Sequence, residues 1–426
     1  MKNIKNLING FLSRAGSWIF TATIIARLSS FLVQIIVLYF IPKNKLGMVI
    51  YAFSFVSFLL PISGLGIQQS LVRYGARLKS ETEKKQLFLY VLRKGILLNF
   101  LFLLLLLPFA YWYPFKFSQA RVYFLLLSLS LLSHFLFGVV KIYFRLFYQN
   151  KIYAKAEIFY AILFLILATL LSHFFKEIGY ITAIIITPFL AFLHYFSKYI
   201  PFHSQTIKKP KLVNITFWKY GVFAGLAYVA TLLLFEIDNI LIGNILKDPS
   251  KITLYKYLSL IPMSLLFLPR VLMTADFVYI TENLADKKYV FNYIKTYIRI
   301  FSVFSLALII GSFLLDKYIL FFLFGKEFMA FHTTFSTLIL GISGILIFRG
   351  LFGNLLSSIG KANLNFVIAI IAIVINIISN RYFIPKYGIL GAAITSASLM
   401  WLTGILSCIF FFYYYNKMLK KANFTS

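Results

Sequence analysis

The chain has 426 residues, of which 61% are hydrophobic and only 13% charged, with a mean hydropathy of +0.87. That composition cannot hide its apolar surface in one water-soluble core, and a lipid bilayer is the solvent that suits it. The 42 Lys and Arg against 12 Asp and Glu give a net charge of +30, but they sit in short gaps between apolar runs, which argues against a nucleic-acid partner.

Residues 1–16 are short and basic. The apolar run at 17–41 is too long for a signal-peptide core and reads as an uncleaved first span. Runs of about 20 apolar residues are needed to cross roughly 30 Å of hydrocarbon. They recur at 46–72, 88–112, 120–142, 156–175, 178–198, 217–246, 254–280, 296–315, 331–357, 364–384 and 389–415, making twelve. The expected fold class is an all-α polytopic membrane protein of about 12 transmembrane helices.

Charge sets the expected orientation. With the N-terminus in the cytoplasm, the inner segments hold 27 basic residues and the outer ones 12. The positive-inside rule then puts both termini in the cytoplasm. The polar stretch at 199–216 divides the chain into a bundle at 1–198 and another at 217–426, six spans each. The halves echo one another: Tyr51 to Lys94, with its charged turn at Glu81, Glu83, Lys84 and Lys85, returns about 204 residues later as Tyr255 to Arg299. Such parallel duplication is common in transporters.

The single cysteine, Cys408, excludes an intrachain disulfide and a cysteine metal cluster, and no His-x-x-x-His pair occurs. No phosphate-binding Gly-x-x-x-x-Gly-Lys-Ser/Thr loop is present, so ATP hydrolysis is not expected. No cofactor is expected beyond a H+ or Na+ gradient.

Charges inside spans are costly and mark places where chemistry can occur. Arg27 lies mid-span on a polar stripe with Thr23, Ser30 and Gln34, spaced for one helix face. The stripe reads as a cavity wall or as a polar helix seam. Tyr51, Ser54, Ser57, Pro61, Gly64 and Gln68 form a second such face, where Pro61 and Gly64 invite a kink. Glu236 and Asp238, two apart, point to different faces. Each is a candidate for a coupling ion or proton, or for an ion pair with Arg27 or Arg270. Arg270 follows Pro269 in a span also bent by Pro262, and Arg349 lies in the inner half of the tenth span. Arg27, Arg270, Arg349, Gln34 and Gln68 are therefore the candidate substrate-binding residues. Guanidinium groups suit a phosphate-bearing ligand.

The stretch Asn376-Ile-Ile-Ser-Asn380-Arg-Tyr-Phe-Ile384-Pro385-Lys-Tyr-Gly388-Ile-Leu-Gly391-Ala-Ala-Ile-Thr395 resembles the signature between the last two spans of polysaccharide flippases of the O-antigen type. These belong to the multidrug/oligosaccharidyl-lipid/polysaccharide (MOP) transporter superfamily. Gly64-Leu65-Gly66, Asp238 to Gly243 with Tyr255, and Phe324 to Phe328 with Gly360-Lys361-Ala362 agree with that pattern. The resemblance implies two six-helix bundles arranged as in multidrug-and-toxin extruders, with the first, second, seventh and eighth spans lining a cavity. It implies a non-enzymatic flippase in a bacterial cytoplasmic membrane. Its cargo would be an undecaprenyl-diphosphate-linked O-antigen or similar lipopolysaccharide unit, moved from the inner to the outer leaflet. A glycan polymerase and a chain-length regulator would be its partners beside membrane lipids. A cation-coupled drug extruder and a membrane glycan polymerase or ligase are the alternatives. The short outer loops, the longest at 316–330, leave little room for the enzyme.

Overall fold

A computed structural model describes residues 16–200 and 210–424. The segments 1–15, 201–209 and 425–426 lie outside the described residues, and with them half of the expected linker at 199–216. The chain is helical, with no strand among the described residues. The first helices are α1 (Gly16–Phe40), α2 (Lys43–Ser57), α3 (Ile67–Gly75), α4 (Glu81–Trp112), α5 (Ser118–Ser128), α6 (Ser130–Leu146) and α7 (Asn150–Tyr199). Then come α8 (Ile215–Leu246), α9 (Pro249–Ser264), α10 (Phe267–Glu282), α11 (Lys287–Phe324), α12 (His332–Gly344), α13 (Gly350–Ser358), α14 (Ala362–Tyr387) and α15 (Ile389–Phe424).

Ten helical stretches among the described residues are long and apolar enough to cross a membrane, and α8 makes an eleventh. The 50 residues of α7 would measure about 75 Å, more than twice the hydrocarbon thickness. The helix breaks at Lys176, where φ is 51° and ψ −129°. A Cβ on Gly179 would stand 1.9 Å from the Leu171 carbonyl oxygen, so the chain folds back there and α7 is two spans. Counted in this way the described residues hold twelve candidate crossings, and the fold is that of a multi-pass membrane protein.

The chain forms two compact units, residues 1–236 and 237–426. The division between these units falls inside α8, at Glu236. In the first unit, Phe88, Phe135, Phe144 and Phe217 are fully buried in a core that extends to Ile67 and Leu71. In the second, Phe352, Phe411 and Tyr415 do the same with Leu346 and Leu351. Large apolar side chains also cover the outside, such as Phe100, Leu105, Phe313 and Phe322 at 57, 67, 67 and 84% exposure. Water would not tolerate that surface, and lipid does.

The second span is broken, as Pro61 and Gly64 lead one to expect. A 3-10 turn at Leu60–Gly66 carries Ser63, Gly64 and Leu65 out of helical geometry. Gly66, at φ 69°, lets α8 approach closely: a Cβ there would lie 2.1 Å from the Gly221 carbonyl oxygen. Ser70 Oγ ties the two helices by donating to Phe217 O at 2.6 Å.

Each unit repeats the order of the other. Helices α4 and α11 start 206 residues apart, at Glu81 and Lys287. The corner at Lys176 returns 212 residues later at Gly388, with φ 60° and ψ −137°. The ninth span runs on past residue 315, where the apolar run ends, because Asp316 is buried against α12 instead of entering a loop.

Candidate functional site

Asp238 sits in the part of α8 that belongs to the second unit and is 4% exposed. Four side chains from three other helices donate to its carboxylate. Asn376 and Asn380 of α14 each reach Oδ1 with Nδ2 at 3.0 Å. They are four residues apart, so one helix face presents both. From α9, Tyr255 Oη donates to Oδ2 at 2.7 Å, and Ser396 Oγ of α15 donates to the same oxygen. Asn376, Asn380 and Tyr255 are themselves 3% exposed or less.

All four partners are neutral, so the ion pair with Arg27 or Arg270 that the sequence left open is not what holds Asp238. A buried carboxylate needs its lone pairs filled, and four donors fill both oxygens. Asn380 Nδ2 also donates to Asn376 Oδ1 at 2.9 Å, while Asn380 Oδ1 is buried without a hydrogen-bond partner. A half-turn of both amides would set two carbonyl oxygens beside the carboxylate. That all-oxygen set is the kind hard cations take.

Glu236 lies on the first unit's side of the division and accepts a hydrogen bond from Ser54 Oγ of α2 at 2.9 Å. The two acids thus face different partners, as their spacing requires. The other candidates are dispersed. Gln34 Nε2 approaches Tyr180 Oη at 3.4 Å, and Gln68 Nε2 donates to Phe135 O at 3.1 Å, so both link helices of the first unit. Arg27 is half-buried on α1, and Ser30 of the same stripe bonds back to Ala26 O at 2.8 Å. Arg270 is exposed on α10. Arg349 ends a π-helical turn at Ile345–Arg349 and is half-buried. Its guanidinium donates to Ser407 Oγ at 2.5 Å and approaches Asn365 O at 3.4 Å, an internal tether of the second unit instead of a side chain reaching for the membrane surface.

Sequence reasoning singled out Asp238 but not the roles of Asn376, Asn380 and Ser396. Two amides four residues apart in an apolar helix were the available signal; Ser396 lies among small residues that look like packing.

Comparison with known proteins completes the picture. The model of a family described as "Polysaccharide biosynthesis protein" matches residues 12–275. The uncharacterized membrane protein MJ1068 of Methanocaldococcus jannaschii is 23% identical, with 95% of this chain and 84% of that protein covered. Among solved structures, the lipid II flippase MurJ in an inward closed conformation is similar at a TM-score of 0.72 and 20% identity, covering 92% of this chain and 86% of the other. An inward-facing multidrug resistance MATE family transporter of the MOP superfamily gives 0.70 and 14%, over 93% and 96%. A MOP superfamily transporter from Pyrococcus furiosus gives 0.66 and 13%, over 95% of each chain. With the family model covering more than half its length, the chain belongs to the polysaccharide biosynthesis protein family, built on the MOP transporter fold.

Proposed function

We propose that this protein is a flippase for an undecaprenyl-diphosphate-linked oligosaccharide, working by alternating access and reset by a H+ or Na+ bound at Asp238. The observation that carries the reading is the buried Asp238 carboxylate, ringed by neutral donors, in a chain of the polysaccharide biosynthesis family. A structural acid would gain from a cationic partner. One held only by amides and hydroxyls can take and release a cation without breaking an ion pair.

Arg27 and Arg270 supply the guanidinium groups that suit a diphosphate, in forked pairs of hydrogen bonds. The polyprenyl tail stays in lipid while the glycan crosses. The cargo moves from the inner to the outer leaflet of a cytoplasmic membrane with both termini inside, which the excess of basic residues in alternate loops supports. A glycan polymerase and chain-length regulator would use the exported unit. In the drug-extruder reading these same guanidinium groups would face a cationic drug, which their positive charge disfavours.

The test is to delete the gene and measure leaflet accessibility of the lipid-linked glycan in spheroplasts. Inner-leaflet accumulation, relieved by the intact chain but not by Arg27→Ala or Arg270→Ala at matched expression, supports the reading. Normal arrival at the outer leaflet without the gene sinks it.

A further inference from the structure

The second span ends in a cationic patch laid on aromatic rings, all of it within the first unit. Arg73 lies in the last turn of α3, and Arg77 in the turn that follows, where its N–H donates to Tyr74 O at 3.2 Å. Tyr74 stands between them: its ring centre is 5.9 Å from Arg73 Cζ and 5.8 Å from Arg77 Cζ. Arg73 Cζ also lies 4.2 Å over the ring of Tyr220 on α8. The platform is itself fixed. The rings of Tyr74 and Tyr220 meet edge to face at 6.1 Å, and Tyr74 tilts against buried Phe217 at 5.3 Å. A ring that takes the face of a guanidinium leaves the N–H groups at its rim for a ligand.

The patch carries no counter-charge. Both guanidinium groups are exposed, and neither pairs with a carboxylate among the described residues. The chain holds no acid at 1–80 or at 178–235. Glu81 and Glu83 open α4, but residues 73–85 hold five basic side chains against those two acids. Like charges one turn apart repel. A topological signal needs only charge in the loop, not two guanidinium groups on one ring. Nor does the fold require them: the counterpart in the second unit, at residues 271–286, holds no basic residue.

The position defines the ligand. The apolar stretch Lys43–Gly75 ends here, so in a bilayer the patch lies at the depth of the lipid phosphates. One turn further along the Tyr220 side of α8, Phe223 is 70% exposed and offers an apolar surface to an acyl chain. Arginines keep their charge at any working pH. Fixed cations at that depth, with apolar surface beside them, select an anion that carries a hydrocarbon tail. We propose that the Arg73–Arg77 patch binds the headgroup of an anionic phospholipid, its phosphodiester oxygens on the two guanidinium rims and an acyl chain along Phe223.

The test uses the full-length protein in detergent, titrated with phosphatidylglycerol or phosphatidylcholine and followed by native mass spectrometry. The wild type is expected to hold phosphatidylglycerol better. Arg73→Gln and Arg77→Gln should each weaken its retention about fivefold, the worth of one basic side chain at an anionic surface, and leave phosphatidylcholine unchanged. Both side chains are exposed, so the substitutions spare the core. Lys317→Gln, at an exposed lysine of the second unit, should change nothing. Equal retention of phosphatidylglycerol by the wild type and both arginine variants overturns the proposal. So does equal retention of the two lipids by the wild type, which would mean that no anionic charge is read. An equal loss in Lys317→Gln would make net charge the cause, and displacement by millimolar inorganic phosphate would make free phosphate the ligand; either result also overturns it. None of these outcomes depends on flipping.

Discussion

Glu236 and Asp238 stand two residues apart on one helix, and each carboxylate is held by a different bundle: the first by Ser54, the second by Tyr255, Asn376, Asn380 and Ser396. Asp238→Asn keeps the shape and lets the two hydroxyls accept where they now donate. It is expected to cost about 1 kcal/mol of stability while abolishing the dependence of flipping on the ion gradient. Asp238→Ala strands four donors around a hole and should cost about 3 kcal/mol or more. Thermal unfolding in detergent, beside flipping assayed with and without a gradient, separates the two. A gradient response surviving in Asp238→Asn would remove this residue from coupling.

The corners at Lys176 and Gly388 share a conformation that only glycine adopts without strain. Lys176→Gly is therefore expected to raise stability by about 1 kcal/mol, the relief exceeding the added freedom of the unfolded chain. Gly388→Lys should lower it by about 1–3 kcal/mol. Melting temperatures that move together, or not at all, would contradict this.

Two glycines should respond oppositely to one methyl group. Gly66→Ala drives a Cβ into the Gly221 carbonyl at φ 69° and is expected to prevent stable folding. Gly311, within α11, has nothing within 4 Å of its would-be Cβ, so Gly311→Ala should gain up to about 1 kcal/mol from helix propensity. The yield of folded, monodisperse protein reads the first, and the melting midpoint reads the second.

The arginines should divide into two kinds. Arg349→Lys cannot span both Ser407 and the Asn365 carbonyl, and should cost about 1–2 kcal/mol with flipping per folded molecule unchanged. Exposed Arg270→Ala is expected to leave the melting midpoint near the wild type and to lower flipping. The reverse pattern would exchange their roles.

Hydropathy alone reveals the twelve crossings, even the hairpin hidden in one 50-residue helix, because a span cannot exceed the thickness of its solvent. Pro61 and Gly64 announce the break in the second span for equally local reasons. The surroundings of Asp238 are not local: its partners lie up to 158 residues away in the chain. No periodicity shows which hydroxyl among many meets a given acid. Gln68 shows the same limit, since the sequence of an apolar helix does not reveal that its amide donates to the carbonyl of Phe135. Asp316 misleads too: it reads as the start of a loop because a buried acid and a solvated one are identical in sequence.

The repeat bears on energy supply. At the offset that relates Tyr51 to Tyr255, Asp238 corresponds to Gln34, which contacts Tyr180 in the first unit. One of the two duplicated positions can carry charge and the other cannot. Under the proposed coupling, the stoichiometry at this pair is one monovalent cation per turnover. At 100 mV that cation delivers about 2.3 kcal/mol, enough to bias the cargo about fiftyfold toward one leaflet. Steeper loading would have to come from what consumes the glycan on the far side.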